Sequence, residues 1–120
     1  MWMAEQHRRR RPGGGAQIGS VTLEGDPAGV CLDGERRELP VFGPGGYLWR
    51  PAREDQVLVI KTGADGEAPC VAGKRNERSV QLAEGEVLIY SGSAAIRLSG
   101  GTIALEGTVL VNGKEVATKG

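Results

Sequence analysis

The residues of this chain whose types could do chemistry are few and scattered. The two cysteines, Cys31 and Cys70, stand thirty-nine positions apart, which fits no Cys-x-x-Cys metal or redox pair. The single histidine, His7, lies beside a run of arginines, and neither cysteine has a histidine near it in sequence to take its proton. There is no Gly-x-Ser-x-Gly elbow and no His-Glu-x-x-His zinc helix. A phosphate loop places four residues between its first glycine and Gly-Lys-Ser/Thr. Here five residues separate Gly107 from Gly113-Lys114, and Glu115 stands where the hydroxyl belongs. Asp26, Asp33, Asp55 and Asp65 fall at predicted turns, where a lone carboxylate caps backbone amides rather than joining a calcium or acid–base pair. The sequence predicts no catalytic residue, no metal and no cofactor.

Tyr47 and Trp49 could stack bases on a nucleotide-binding surface. Yet the chain has only five aromatics, Trp2, Phe42, Tyr47, Trp49 and Tyr90, and its core has first claim on them. Arg50 and Arg53 are thin cationic support for a stacking platform. Cys31 and Cys70 fall on separate predicted strands, where a disulfide is conceivable but small buried thiols are commoner.

Composition narrows the function classes further. Of 120 residues, 39% are hydrophobic, 25% are charged, and fifteen basic side chains balance fifteen acidic ones. A neutral chain is no polycation, so nucleic acid is not the expected partner. No apolar run approaches the ~20 residues that span a bilayer, and charge follows Met1–Met3 too soon for a secretory signal. With 4% aromatics the core is thin. Thin-cored chains are rescued by disulfides, metals or association, and the first two are disfavoured here. Association is the expectation.

The elements that must position everything are short strands. Residues 1–16, with Arg8-Arg9-Arg10-Arg11 and Pro12-Gly13-Gly14-Gly15, have no apolar periodicity and are expected to be a disordered, solvated basic tail. Residues 17–76 alternate in five or six strands: Ile18 to Leu23, Val30 to Leu32, a hairpin at Asp33-Gly34, then Leu39 to Phe42. Gly43-Pro44-Gly45-Gly46 turns the chain into Tyr47-Leu48-Trp49, a strand that Pro51 confines to an edge or an end. Gln56 to Lys61 is the most continuous apolar run and predicts a central strand buried on both faces. Gly63 to Gly66 turns into Ala68 to Gly73. A small barrel or sandwich is indicated.

Residues 77–120 have a different texture. Val87 and Ile89, Ile96 and Leu98, Ile103 and Leu105, and Val109 and Val111 recur with glycine turns between them, and Asn112-Gly113 closes a last hairpin. Glu86, Arg97, Glu106 and Asn112 hold the opposite phase, with Leu88 and Leu110 as exceptions. Such a ribbon has one apolar face and no second layer of its own. Copies packed about a common axis would cover that face, giving an intertwined threefold β-prism. The alternative is that these strands extend the first domain.

This order of parts resembles the baseplate spike proteins of contractile-tailed phages and related injection devices, the baseplate assembly protein V group. The resemblance covers residues 17–118 and is carried by Glu86-Val87-Leu88-Ile89-Tyr90-Ser91, Ala95-Ile96-Arg97-Leu98, Thr102-Ile103-Ala104-Leu105 and Val109-Leu110-Val111-Asn112-Gly113-Lys114. It implies an all-β chain: a small oligosaccharide/oligonucleotide-binding-type barrel followed by a short trimeric β-helix or β-prism. It also implies a homotrimer on the tail axis of a virion baseplate or a prophage-derived particle, docked to tube, hub and baseplate proteins and thrust at the cell envelope. Longer spikes of the group end in a His-x-His pair binding an apical iron. Val116-Ala117-Thr118-Lys119-Gly120 has no histidine, so no such metal is expected, and a separate tip protein is a possible cap. The trimer interface is assigned to Val87, Ile89, Ile96, Leu98, Ile103, Leu105, Val109 and Val111.

Overall fold

A computed structural model describes residues 15–63, 68–76 and 82–117. The arginine run of the basic tail, the Ala64–Gly66 part of the turn after β4, and residues 118–120 lie outside the described residues. Regular structure within them is entirely β-strand, in antiparallel sheets, as the alternating pattern predicts. The chain divides into two compact units, Met1–Glu77 and Arg78–Gly120.

The first unit is one five-stranded sheet. Its strands are β1 (Ala16–Leu23), β2 (Ala28–Cys31), β3 (Glu35–Leu39), β4 (Gln56–Thr62) and β5 (Ala68–Lys74), in the order β3-β2-β1-β4-β5. The ladder starts at the end of the expected tail, with the Lys61 N–H donating to the Gly15 carbonyl at 2.9 Å. Register shifts interrupt the β1–β2, β2–β3 and β4–β5 pairings, and such bulges bend and twist a sheet. The bend brings the two edges together. Val41, just past β3, forms a parallel bridge to Val71 of β5, with Phe42 N–H to Val71 O and Val71 N–H to Pro40 O both at 2.8 Å.

Inside this curl sit Val21, Ala28, Val30, Leu39, Val57, Val59 and Val71, with Leu32, Val41 and Trp49 packed against them. Gly19 faces the same way, where a Cβ would come within 2.5 Å of Val30 Cγ1 and 2.9 Å of the Cys31 carbonyl oxygen. Only glycine lets β1 and β2 approach so closely.

Three expectations need correction. β4 is central but not buried on both faces: Val57 and Val59 reach the core, while Leu58 and Ile60 remain 42% and 38% exposed. A single curled sheet has one inside, and period two sends alternate residues out of it. Tyr47-Leu48-Trp49 is not a strand. The Tyr47 N–H closes a turn on Pro44 O at 3.0 Å, and the Trp49 indole N–H donates back to Phe42 O at 3.0 Å, folding the segment on itself. As a result Trp49 packs on the core while Tyr47, expected inside with it, stays 60% exposed. Both cysteines are free, and only Cys70 is buried.

The second unit is a meander of β6 (Val87–Ser91), β7 (Ala94–Ser99) and β8 (Thr102–Glu106), followed by a small hairpin of β9 (Leu110–Val111) and β10 (Lys114–Glu115). All three tight turns use two central residues. Gly100-Gly101 and Asn112-Gly113 have positive φ at both positions, the type I′ geometry that matches strand twist.

Candidate assembly face

Cross-strand register decides which side chains of β6–β8 share a face. Val87 pairs with Leu98 and Leu98 with Ile103; Ile89 pairs with Ile96 and Ile96 with Leu105. Two rows of three apolar side chains therefore lie side by side across the sheet. Each of the six is between 38% and 70% exposed. Among the described residues of this unit, the only buried apolar side chain is Ala95, on the opposite face.

That opposite face is mixed: Leu88, Tyr90, Ala95 and Ala104, half-buried or buried, share it with ion-paired side chains. Arg97, in the middle of β7, lies 3.6 Å from the carboxylates of both Glu86 and Glu106. Glu86 also accepts the Ala83 N–H at 2.9 Å, fastening the segment that leads into β6. Its carboxyl is held below its ordinary value, chiefly by the Ala83 N–H and then by the Ser99 hydroxyl. Desolvation opposes them, and the Arg97 charge adds a smaller pull. The side chains suited to water carry ion pairs, while the apolar row is left open to solvent.

The structure brings together seven of the eight interface residues expected from sequence, six in the two rows and Val109 beside them. Val111 belongs to the separate β9–β10 hairpin and is exposed. Val109 precedes β9, accepts the Val116 N–H at 2.8 Å, and lines a hollow of about 360 Å³ together with Ile89, Ile96 and Leu105. Leu110 and Val116 are also exposed, out of phase with the preceding pairs.

Magnitudes show what such a face can do. Fully burying a large aliphatic side chain is worth about 1.5–3 kcal/mol, so covering the half that the six still expose returns about 4–9 kcal/mol per chain. Losing free translation and rotation costs about 4–15 kcal/mol for each association step. Such a face can contribute to assembly, but its return does not clear that cost by itself. Among the described residues no cluster of His, Cys, Asp and Glu side chains could hold a metal ion. No protein-family model matches the chain, and no match to it was found among curated proteins or solved structures.

Proposed function

We propose that the chain is the structural central spike of a contractile phage tail or tail-like injection device, a homotrimer that punctures the cell envelope and performs no catalysis. The observation that carries this reading is the naked apolar face of β6–β8, whose six side chains are more open to solvent than the mixed face behind them. Three copies turning these faces to a common axis form a slender prism, each chain keeping its own β6–β8 ladder. The tied edges of the first unit support its reading as an oligosaccharide/oligonucleotide-binding-type barrel, docked to tube, hub and baseplate proteins. Its place is then the baseplate of a virion or a prophage-derived particle. Light scattering on the purified chain tests the proposal. A mass three times the 12.6 kDa chain is expected, and a single-chain mass at micromolar concentration overturns it.

One observation favours a second reading, a barrel that binds nucleic acid or carbohydrate. Phe42 and Tyr47 are exposed rather than in the core, so they are free to stack on a ligand. Salt-dependent retention of the chain on single-stranded DNA, kept after removal of residues 1–16, is the result that would favour it.

A further inference from the structure

The β6–β8 face is too small to be the whole contact between copies. The 4–9 kcal/mol available there corresponds to about 180–360 Å² of apolar surface per chain, whereas stable interfaces bury about 800 Å² per partner. The shortfall has to come from elsewhere in the chain. In the first unit there are two exposed apolar features, a projection and a recess.

One is a projection. The 42–49 loop is braced by Trp49, whose indole donates to Phe42 O and lies against Gly43, where a Cβ would come within 3.2 Å of the ring. The Tyr47–Pro44 turn closes its tip. This braced loop presents Phe42, Tyr47 and Leu48 to solvent, Leu48 at 97% exposure. Ordering costs are already met within the chain, as in other preorganised binding loops. The other feature is a recess, a hollow of about 260 Å³ on the outer face of β1 and β4. Ile18 and Leu58 form its apolar floor, and Lys74 and Arg75 stand beside it. Lys74 is paired with Asp55 at 3.3 Å, while the Arg75 guanidinium has no partner among the described residues.

We infer that the 42–49 loop of each copy seats in the Ile18–Leu58 hollow of the next, an inference that rests on the trimeric reading above. Tyr47 then offers its ring face to the Arg75 guanidinium, a cation–π contact that answers the recess's charge. Two aromatics and a leucine add a few hundred Å² per contact, the missing amount. The occupant is a second copy because the β6–β8 faces already hold copies together, which raises the effective concentration of loop and recess. Since the two surfaces differ, the contact is head-to-tail, and with three copies it closes into a ring.

A thiol-crosslinking experiment on the full chain tests this. Leu48→Cys and Leu58→Cys are introduced together on a Cys31→Ser background and treated with a short bismaleimide, alongside each single variant. Both leucines are exposed enough to be replaced without touching the core. Covalent trimers from the double variant, with no trimers from either single one, are expected. Leu48→Asp should raise the concentration for half-dissociation about tenfold or more. If light scattering finds a trimer but the double variant gives no link between chains, the loop contact is wrong and the spike reading stands. Links within one chain, or a ladder running beyond three, overturn the closed ring. A chain that is monomeric before any crosslinking removes both.

Discussion

Arg97 spans the face of its sheet opposite the apolar rows, with Glu86 and Glu106 each 3.6 Å from its guanidinium. Glu86 does a second task by accepting the Ala83 N–H, so one carboxylate both shapes the entry to β6 and balances a charge on β7. Its folded-state pKa lies below the ordinary 4.5. The unfolded chain therefore binds its proton more readily than the folded one. The stabilisation that Glu86 supplies is complete above about pH 4.5 and drains away as pH falls through the lower, folded value. Glu86→Gln keeps an acceptor for Ala83 but removes the charge. Thermal melts of the two proteins should differ at pH 7, by less in high salt, and converge in acid. A gap that stays constant from pH 7 to pH 3 would show that the charge contributes nothing.

At the scale of elements, the first unit depends on β1 and β2 lying closer than side chains normally permit. A methyl group at position 19 would collide with Val30 Cγ1, Leu32 Cδ2 and the Cys31 carbonyl at 2.5–2.9 Å, and the carbonyl cannot swing aside without breaking the ladder. Gly19→Ala should destabilise the unit by about 1–3 kcal/mol, measured by chemical denaturation. The sequence disclosed the strands well because period two survives wherever one face is buried: Val57/Val59 in β4 and the paired rows of β6–β8 follow it. It disclosed the hairpins through Asp33-Gly34 and Asn112-Gly113, and at the second both residues hold the positive φ that favours them. What it concealed were features made by tertiary contact. The folding of Tyr47–Trp49 back on Phe42 depends on an indole finding a carbonyl seven residues away. The outward setting of Leu58 and Ile60 depends on a curl that no local pattern encodes. Of the candidate assembly face, the six residues of the two rows were legible from alternation and Val109 lies beside them, whereas Val111 sits apart in a separate hairpin.

For the whole molecule, the two units differ in how they can be stable. The first encloses seven buried apolar residues of its own. The second has Ala95 alone buried among its described residues, so on the trimeric reading proposed above its folding free energy comes largely from contacts between chains. A unit stabilised by its partners has a melting temperature that rises with protein concentration, because mass action couples folding to association. A self-sufficient unit owes its stability to contacts that dilution cannot remove. Hydrogen exchange can read the two separately, using the Val59 and Val71 amides for the first and the Ile96 and Leu105 amides for the second. Dilution should strip protection from Ile96 and Leu105 well before Val59 and Val71. Ile96→Glu, which places a charge at the centre of the apolar rows, should reproduce the dilute state at any concentration while leaving the first unit protected. Equal protection of all four amides on dilution, with Ile96→Glu indistinguishable from the native chain, would mean that the rows are covered within one chain and that assembly is not what they are for.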